Sequence, residues 1–246
     1  MSTPLIRVQG LSIGWDRHVL IGEATFDVAR GDVFVILGES GCGKSTLLRS
    51  LIGLDPPLGG SIHIEGIGSP RLEGAAPEFG VMFQSGALFS SMTVGENVGF
   101  ALQEWTSLPT EAVSAIVKAK LALVGLEGTG DKLPAELSGG MKKRAAIARA
   151  MAFEPSLIFL DEPSAGLDPV SAAELDDLIL ALNRGLTLTV VMVTHELESI
   201  LKVGKTCIML DKETKGIIAT GNPRSLKAES QDPRVQQFFQ RQGRVH

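Results

Sequence analysis

The residues best spaced for chemistry are a lysine and a serine closing a glycine-rich octet, Gly38-Glu39-Ser40-Gly41-Cys42-Gly43-Lys44-Ser45. The octet follows the apolar run Val33 to Leu37 and precedes the helix-like stretch Thr46 to Ile52. G-x-x-x-x-G-K-S between a buried strand and a helix is the context of a phosphate loop. Glycines let backbone N–H groups turn inward around an anion, and the helix N-terminus adds a positive dipole end. Gly38 to Ser45, with Thr46, would form the cradle. Lys44 would reach the β- and γ-phosphate oxygens and the Ser45 hydroxyl would bind Mg²⁺. A bulky reagent on the Cys42 thiol is then expected to block the nucleotide.

A carboxylate pair ends a second apolar run, Leu157-Ile158-Phe159-Leu160-Asp161-Glu162-Pro163. Asp161 would hold Mg²⁺, directly or through water, and Glu162 would take the proton of a water attacking the γ-phosphate. The bland alternative is an acidic helix cap, which Pro163 makes awkward. His195 follows the run Leu188 to Thr194, and Gln84 follows Phe79 to Phe83. Alone, the histidine would be structural and the glutamine a surface residue. In this company His195 reads as a γ-phosphate contact and Gln84 as a holder of metal-bound water. Ligands of open α/β sheets lie beyond the carboxyl ends of the strands, so all four groups are expected on one sheet edge.

Leu137-Ser138-Gly139-Gly140-Met141 precedes a helical stretch from Lys142 to Met151. Ser138 could cap that helix and leave the glycine N–H groups for a second anion, or be an ordinary cap. The basic residues that follow read as a solvated face. The chain has no tyrosine, so Trp15 either stacks on an adenine or plugs the core edge. Asp168-Pro169 starts a helix as N-cap and first helical residue. Leu175, Leu178, Ile179 and Leu182 form its apolar stripe, and Gly185 is expected to end it.

The elements that must position these groups alternate between strand and helix patterns. Strands are expected over Leu5 to Ile13, Thr25 to Val28, Ser61 to Glu65, Thr206 to Leu210 and Gly216 to Thr220. From Ser85 to about Phe153 the period is helical, through Val94, Val98 and Ala101, then Val113, Ile116, Val117, Leu121 and Val124. The apolar loop Ser85 to Phe89 needs a cover, from its own core or from a partner. Beyond Gly221-Asn222-Pro223, a short helix from Asp232-Pro233 presents Val235, Phe238 and Phe239, to its own core or to a neighbouring subunit.

At 246 residues, 44% hydrophobic and with net charge −5, the chain suits one large α/β core with a subdomain. The acidity argues against nucleic-acid binding through a general basic surface. No apolar run approaches about 18 residues and the N-terminus lacks signal-peptide regions, so a cytosolic chain is expected. Two cysteines give no disulfide framework.

Taken together, these stretches resemble the ATPase subunit of ABC transporters over essentially the whole chain. The match lies in the phosphate loop 38–45, Gln84 as Q-loop, Leu137 to Gly140 as signature, Asp161-Glu162 as Walker B, Ser164 to Asp168 as D-loop and His195 as switch histidine. Trp15 falls where the family stacks an aromatic on adenine. The resemblance implies an α/β fold: a P-loop NTPase (RecA-like) core with an antiparallel β subdomain and an inserted α-helical subdomain. Core and β subdomain would take 1–84 and 154–221, the helical subdomain 85–153, and the tail 222–246. It also implies ATP and Mg²⁺, a head-to-tail dimer with ATP between Lys44 of one subunit and Ser138, Gly139 and Gly140 of the other, Asp168 at the same interface, and an integral membrane permease on another chain.

Met141 departs from the usual glutamine, and a thioether cannot donate a hydrogen bond to ribose. With Met82 to Phe89 and the tail Asp232 to Phe238, this signature is similar to the branch serving MCE-protein lipid transporters, including the Mla phospholipid system of Gram-negative envelopes. That branch implies an MCE-domain substrate-binding protein, a place on the cytoplasmic face of the inner membrane, and room for a small regulatory subunit. An importer of small solutes and a soluble assembly ATPase are the rival readings.

Overall fold

The computed structural model describes residues 3–15, 18–71 and 76–240. The chain opens with β1 (Ile6–Trp15), β2 (His18–Val28), β3 (Val33–Gly38), α1 (Lys44–Leu51) and β4 (Gly59–Ile64). It continues through β5 (Gly80–Met82), α2 (Val94–Trp105), α3 (Thr110–Leu123), a 3₁₀ turn (Pro134–Glu136), α4 (Gly139–Ala150), β6 (Leu157–Asp161) and α5 (Pro169–Leu186). β7 (Thr189–Val193), α6 (Leu197–Val203), β8 (Thr206–Asp211), β9 (Gly216–Gly221), α7 (Pro223–Glu229) and α8 (Pro233–Gln240) complete it. These elements form two compact units, 1–73 with 189–246, and 74–188.

The first unit holds a three-stranded antiparallel sheet, β2-β1-β4, and the strands β7-β3-β8-β9. β3 and β7 are buried at every residue, as strands covered on both faces must be. β3 pairs in parallel with β7 through Val33↔Val190 to Ile36↔Val193 and with β8 through Phe34↔Thr206 to Gly38↔Leu210. β2 begins at His18, well before the expected Thr25. Its alternation is masked because Glu23 adopts a left-handed φ of 52° and the β1–β2 register shifts between Leu11 and Ile13. Such bulges interrupt the two-residue period.

In α8, Val235, Phe238 and Phe239 are buried against this unit, worth roughly 1.5–3 kcal/mol each. Arg234 adds ion pairs to Asp211 and Asp232. The tail helix therefore covers its own core. α7 was not expected: Asn222 caps it by accepting from Arg224 and Ser225 N–H groups, with Pro223 in the first helical position.

The second unit pairs β5 with β6 in parallel, Gly80↔Ile158 to Met82↔Leu160, and places α2, α3 and α4 between them in sequence. Thr93 and Glu96 form a capping box at α2, whose buried stripe is Val94, Val98 and Leu102, with Ala101 only half-buried. Asn97, fully buried, accepts from Phe89 N–H and donates to the carbonyls of Phe89, Met92 and Thr93. α5 starts as expected, with Asp168 accepting from Val170 and Ser171 N–H groups. It passes Gly185 and ends at Leu186, where Thr187 takes the left-handed conformation at φ 52°; side-chain type alone does not reveal such a cap.

Candidate active site

β3 delivers its last residue, Gly38, into the loop, and α1 starts at Lys44. Gly38 is obligatory, since a Cβ there would lie 2.5 Å from the Leu210 carbonyl oxygen and 2.6 Å from the Cys42 sulfur. Gly41 and Gly43 adopt φ of 79° and 99°, the region glycine enters without steric cost. Gly43 is the N-cap of α1 and no side chain caps that helix, so its first N–H groups point into the loop, as anion binding requires. Lys44 Nζ donates to the Gly38 and Glu39 carbonyls, both at 2.9 Å. An ammonium has three donors, which leaves one for a phosphate oxygen. Glu39, Ser40, Gly41 and Ser45 are exposed, Thr46 half-buried and Lys44 buried.

His195 stands two residues beyond β7, the parallel neighbour of β3. Its side chain is 57% exposed and lies 3.5 Å from Glu196. The first unit thus carries the phosphate loop and His195 on carboxyl ends of adjacent strands. Trp15 ends β1 opposite His18 and is 59% exposed, which rules out the core plug. The neighbouring Asp16 lies outside the described residues.

In the second unit the same rule places Gln84 beyond β5 and Asp161 at the end of β6. Both line one open hollow with Phe83, Ser85, Ala165 and Gly166. Glu162 is buried to 7% exposure and holds a left-handed φ of 47°, a conformation uncommon outside glycine that costs of order 1–3 kcal/mol and clusters at functional sites. Ser138 caps α4 by accepting from the Met141 N–H at 3.3 Å. A Cβ on Gly139 would come 3.3 Å from Leu167 and one on Gly140 3.5 Å from Ser171, whose hydroxyl donates to Asp168 at 2.6 Å. Gly139 therefore packs on the D-loop of its own chain and Gly140 on the first turn of α5.

The basic residues after the signature are not a solvated face. Lys143 is buried to 8% exposure, and its Nζ donates to the Gln84 carbonyl at 2.5 Å and the Glu162 carbonyl at 3.3 Å. Burial lowers its pKa, opposed by the Asp161 and Glu162 carboxylates. Arg149 donates to the Gly86 and Ala87 carbonyls, and Arg144 to Val124 O and Glu174. The loop after Gln84 is thus tied to α4, although Phe89 remains 46% exposed. The overlooked signal is Ala145-Ala146-Ile147-Ala148, all fully buried: a helix with so broad an apolar face leaves little room for solvated neighbours.

Cys42 does not offer an open thiol. It is 2% exposed, and burial raises its pKa above the ordinary value. Cys207 is buried too, with its pKa pushed up to about 12. Because the thiolate is the reactive form, a chromogenic disulfide reagent should titrate neither cysteine in the native protein and both after denaturation. Rapid native reaction at Cys42 would contradict this packing.

The family profile described as "ABC transporter" matches residues 9–165. The chain belongs to the ABC transporter family. It is 40% identical over 241 residues to the Escherichia coli intermembrane phospholipid transport system ATP-binding protein MlaF, covering 96% of this chain and 88% of that one. It is 42% identical to the Mycobacterium leprae probable ribonucleotide transport ATP-binding protein mkl, over 95% of this chain and 68% of that protein. Among solved structures it is similar to cbiO1 of Clostridium perfringens, part of the ABC transporter complex cbiONQ, with a TM-score of 0.81, 28% identity and coverage of 93% and 92%. It is also similar to the dimeric ATP-binding cassette MJ0796 bound to ADP and Pi, with a TM-score of 0.77, 26% identity and coverage of 88% and 98%.

This ABC ATPase therefore has the expected P-loop NTPase fold, and it binds and hydrolyses ATP. Its Ser45 hydroxyl, Gln84 amide oxygen and Asp161 carboxylate are hard oxygen donors, the class that Mg²⁺ takes. Among the described residues no helix is long and apolar enough to cross a membrane.

Proposed function

We propose that this ABC ATPase drives phospholipid transport in a Gram-negative envelope, seated on the cytoplasmic face of the inner membrane beneath an integral permease that works with an MCE-domain protein. The observation that carries the reading is the 40% identity to Escherichia coli MlaF over 96% of the chain. Lys44 and the loop N–H groups hold the phosphates, Trp15 stacks on the adenine, and Ser45, Asp161 and Gln84 hold Mg²⁺. The metal, when bound, neutralises charge on the phosphate oxygens. Glu162 accepts the proton of a water whose oxygen bonds to the γ-phosphorus as the bond to the ADP oxygen breaks. His195 contacts the γ-phosphate. Ser138, Gly139 and Gly140 meet the ATP held by a second copy, head to tail, with Asp168 beside them, while Met141 offers ribose no hydrogen bond. Residues 1–84 with 154–221 serve the nucleotide, 85–153 carries the signature and 222–246 follows as tail; a small regulatory subunit has a place in such an assembly.

A specific rival comes from the mycobacterial relatives, which are named for ribonucleotide transport. Affinity purification of the tagged chain from detergent-extracted native membranes separates the two. A permease together with an MCE-domain protein is the expected company. A solute-binding protein in place of the MCE protein, or soluble partners only, would overturn the phospholipid assignment.

A further inference from the structure

The geometry points to Lys143 as a positioning residue for hydrolysis, acting through the backbones of Glu162 and Gln84. This rests on Glu162 being the base. Lys143 lies in the second turn of α4, the helix that Ser138 caps. Its ammonium bridges two strand ends, donating to the carbonyl that follows β5 and to the one that follows β6. The second of these belongs to Glu162, whose left-handed φ of 47° needs support from its surroundings to persist.

Within that turn the Ala165 N–H reaches the same Glu162 carbonyl at 3.2 Å, and the Leu167 N–H reaches the Ser164 carbonyl at 3.1 Å. Lys143 ties this turn to the signature helix. One side chain thus fixes where the base sits relative to Gln84 and links both to the helix behind Ser138. Loss of that link should misplace the base without touching the phosphate loop. A misplacement of about 1 Å is enough for a large rate effect.

The test compares Lys143→Met and Lys143→Arg with wild type, in the full chain and in a Glu162→Gln background. Readouts are single-turnover ATP hydrolysis, binding of a fluorescent ATP analogue and the thermal unfolding midpoint. Lys143→Met should lower turnover about tenfold or more while ATP affinity is unchanged, and Lys143→Arg, whose guanidinium still offers a donor to each of the two carbonyls, should restore part of it. In the Glu162→Gln background, Lys143→Met should add little, because the two act as a unit.

Turnover of Lys143→Met within about twofold of wild type, or an equal loss in both backgrounds, would overturn the positioning role and leave Glu162 as base. Parallel loss of ATP affinity and unfolding midpoint, unrescued by arginine, would overturn it in favour of a purely structural lysine. Full activity of Glu162→Gln alone would instead remove the base on which the inference rests.

Discussion

Glu162→Gln should bind ATP as wild type does and lose turnover by about 10²–10⁴-fold, the usual contribution of a positioned general base. The substitution is nearly isosteric, so a side chain that is 7% exposed keeps its packing and leaves no cavity. The backbone at φ 47° is equally accessible to either residue. What changes is basicity, since an amide cannot take the proton of the attacking water. Phosphate release under saturating ATP, with nucleotide binding measured in parallel, decides the matter. Turnover near wild type would remove Glu162 from its role, whereas lost binding would mean that the substitution disturbed the turn.

Lys44→Met should show the opposite division, with ATP affinity falling first. Truncating one partner of a buried, hydrogen-bonded charge contact costs about 2–5 kcal/mol, or roughly 30- to 4,000-fold in affinity. Part of the loss comes from the missing cation on the phosphates. The rest comes from the loop, because Lys44 donates to the Gly38 and Glu39 carbonyls at 2.9 Å and methionine donates to neither. Isothermal titration with ATP and with ADP separates these parts, since the loop contribution weakens both nucleotides and the γ-phosphate contact only ATP. Unchanged affinity for both would dismiss the loop assignment. Arginine should not rescue, because its planar fork differs in shape from an ammonium.

Much of the scaffold around the candidate site is legible in the sequence because it depends on local rules. The glycine octet between a buried run and a helix pattern gave β3, the loop and α1. The aspartate-proline pair gave the start of α5, and the apolar run before Asp161 gave β6. The losses came where three-dimensional packing decides. Asn222-Pro223 has the same cap chemistry as Asp168-Pro169, but the helix it starts is only seven residues long, too short for a period to show. The full length of β2 was hidden by a left-handed Glu23. Charge usually means solvent, whereas two strand-end carbonyls receive the Lys143 ammonium. An apolar tail helix suits a neighbour as well as its own core by pattern alone, and the burial of Val235, Phe238 and Phe239 within the chain decides for the core.

β3, gripped by parallel partners along both edges, has a consequence for affinity. A phosphate cradle suspended from so constrained a strand, and laced shut by its own lysine, is ordered before any nucleotide arrives. Little disorder is left for the ligand to quench, so more of each anion contact shows up as net binding.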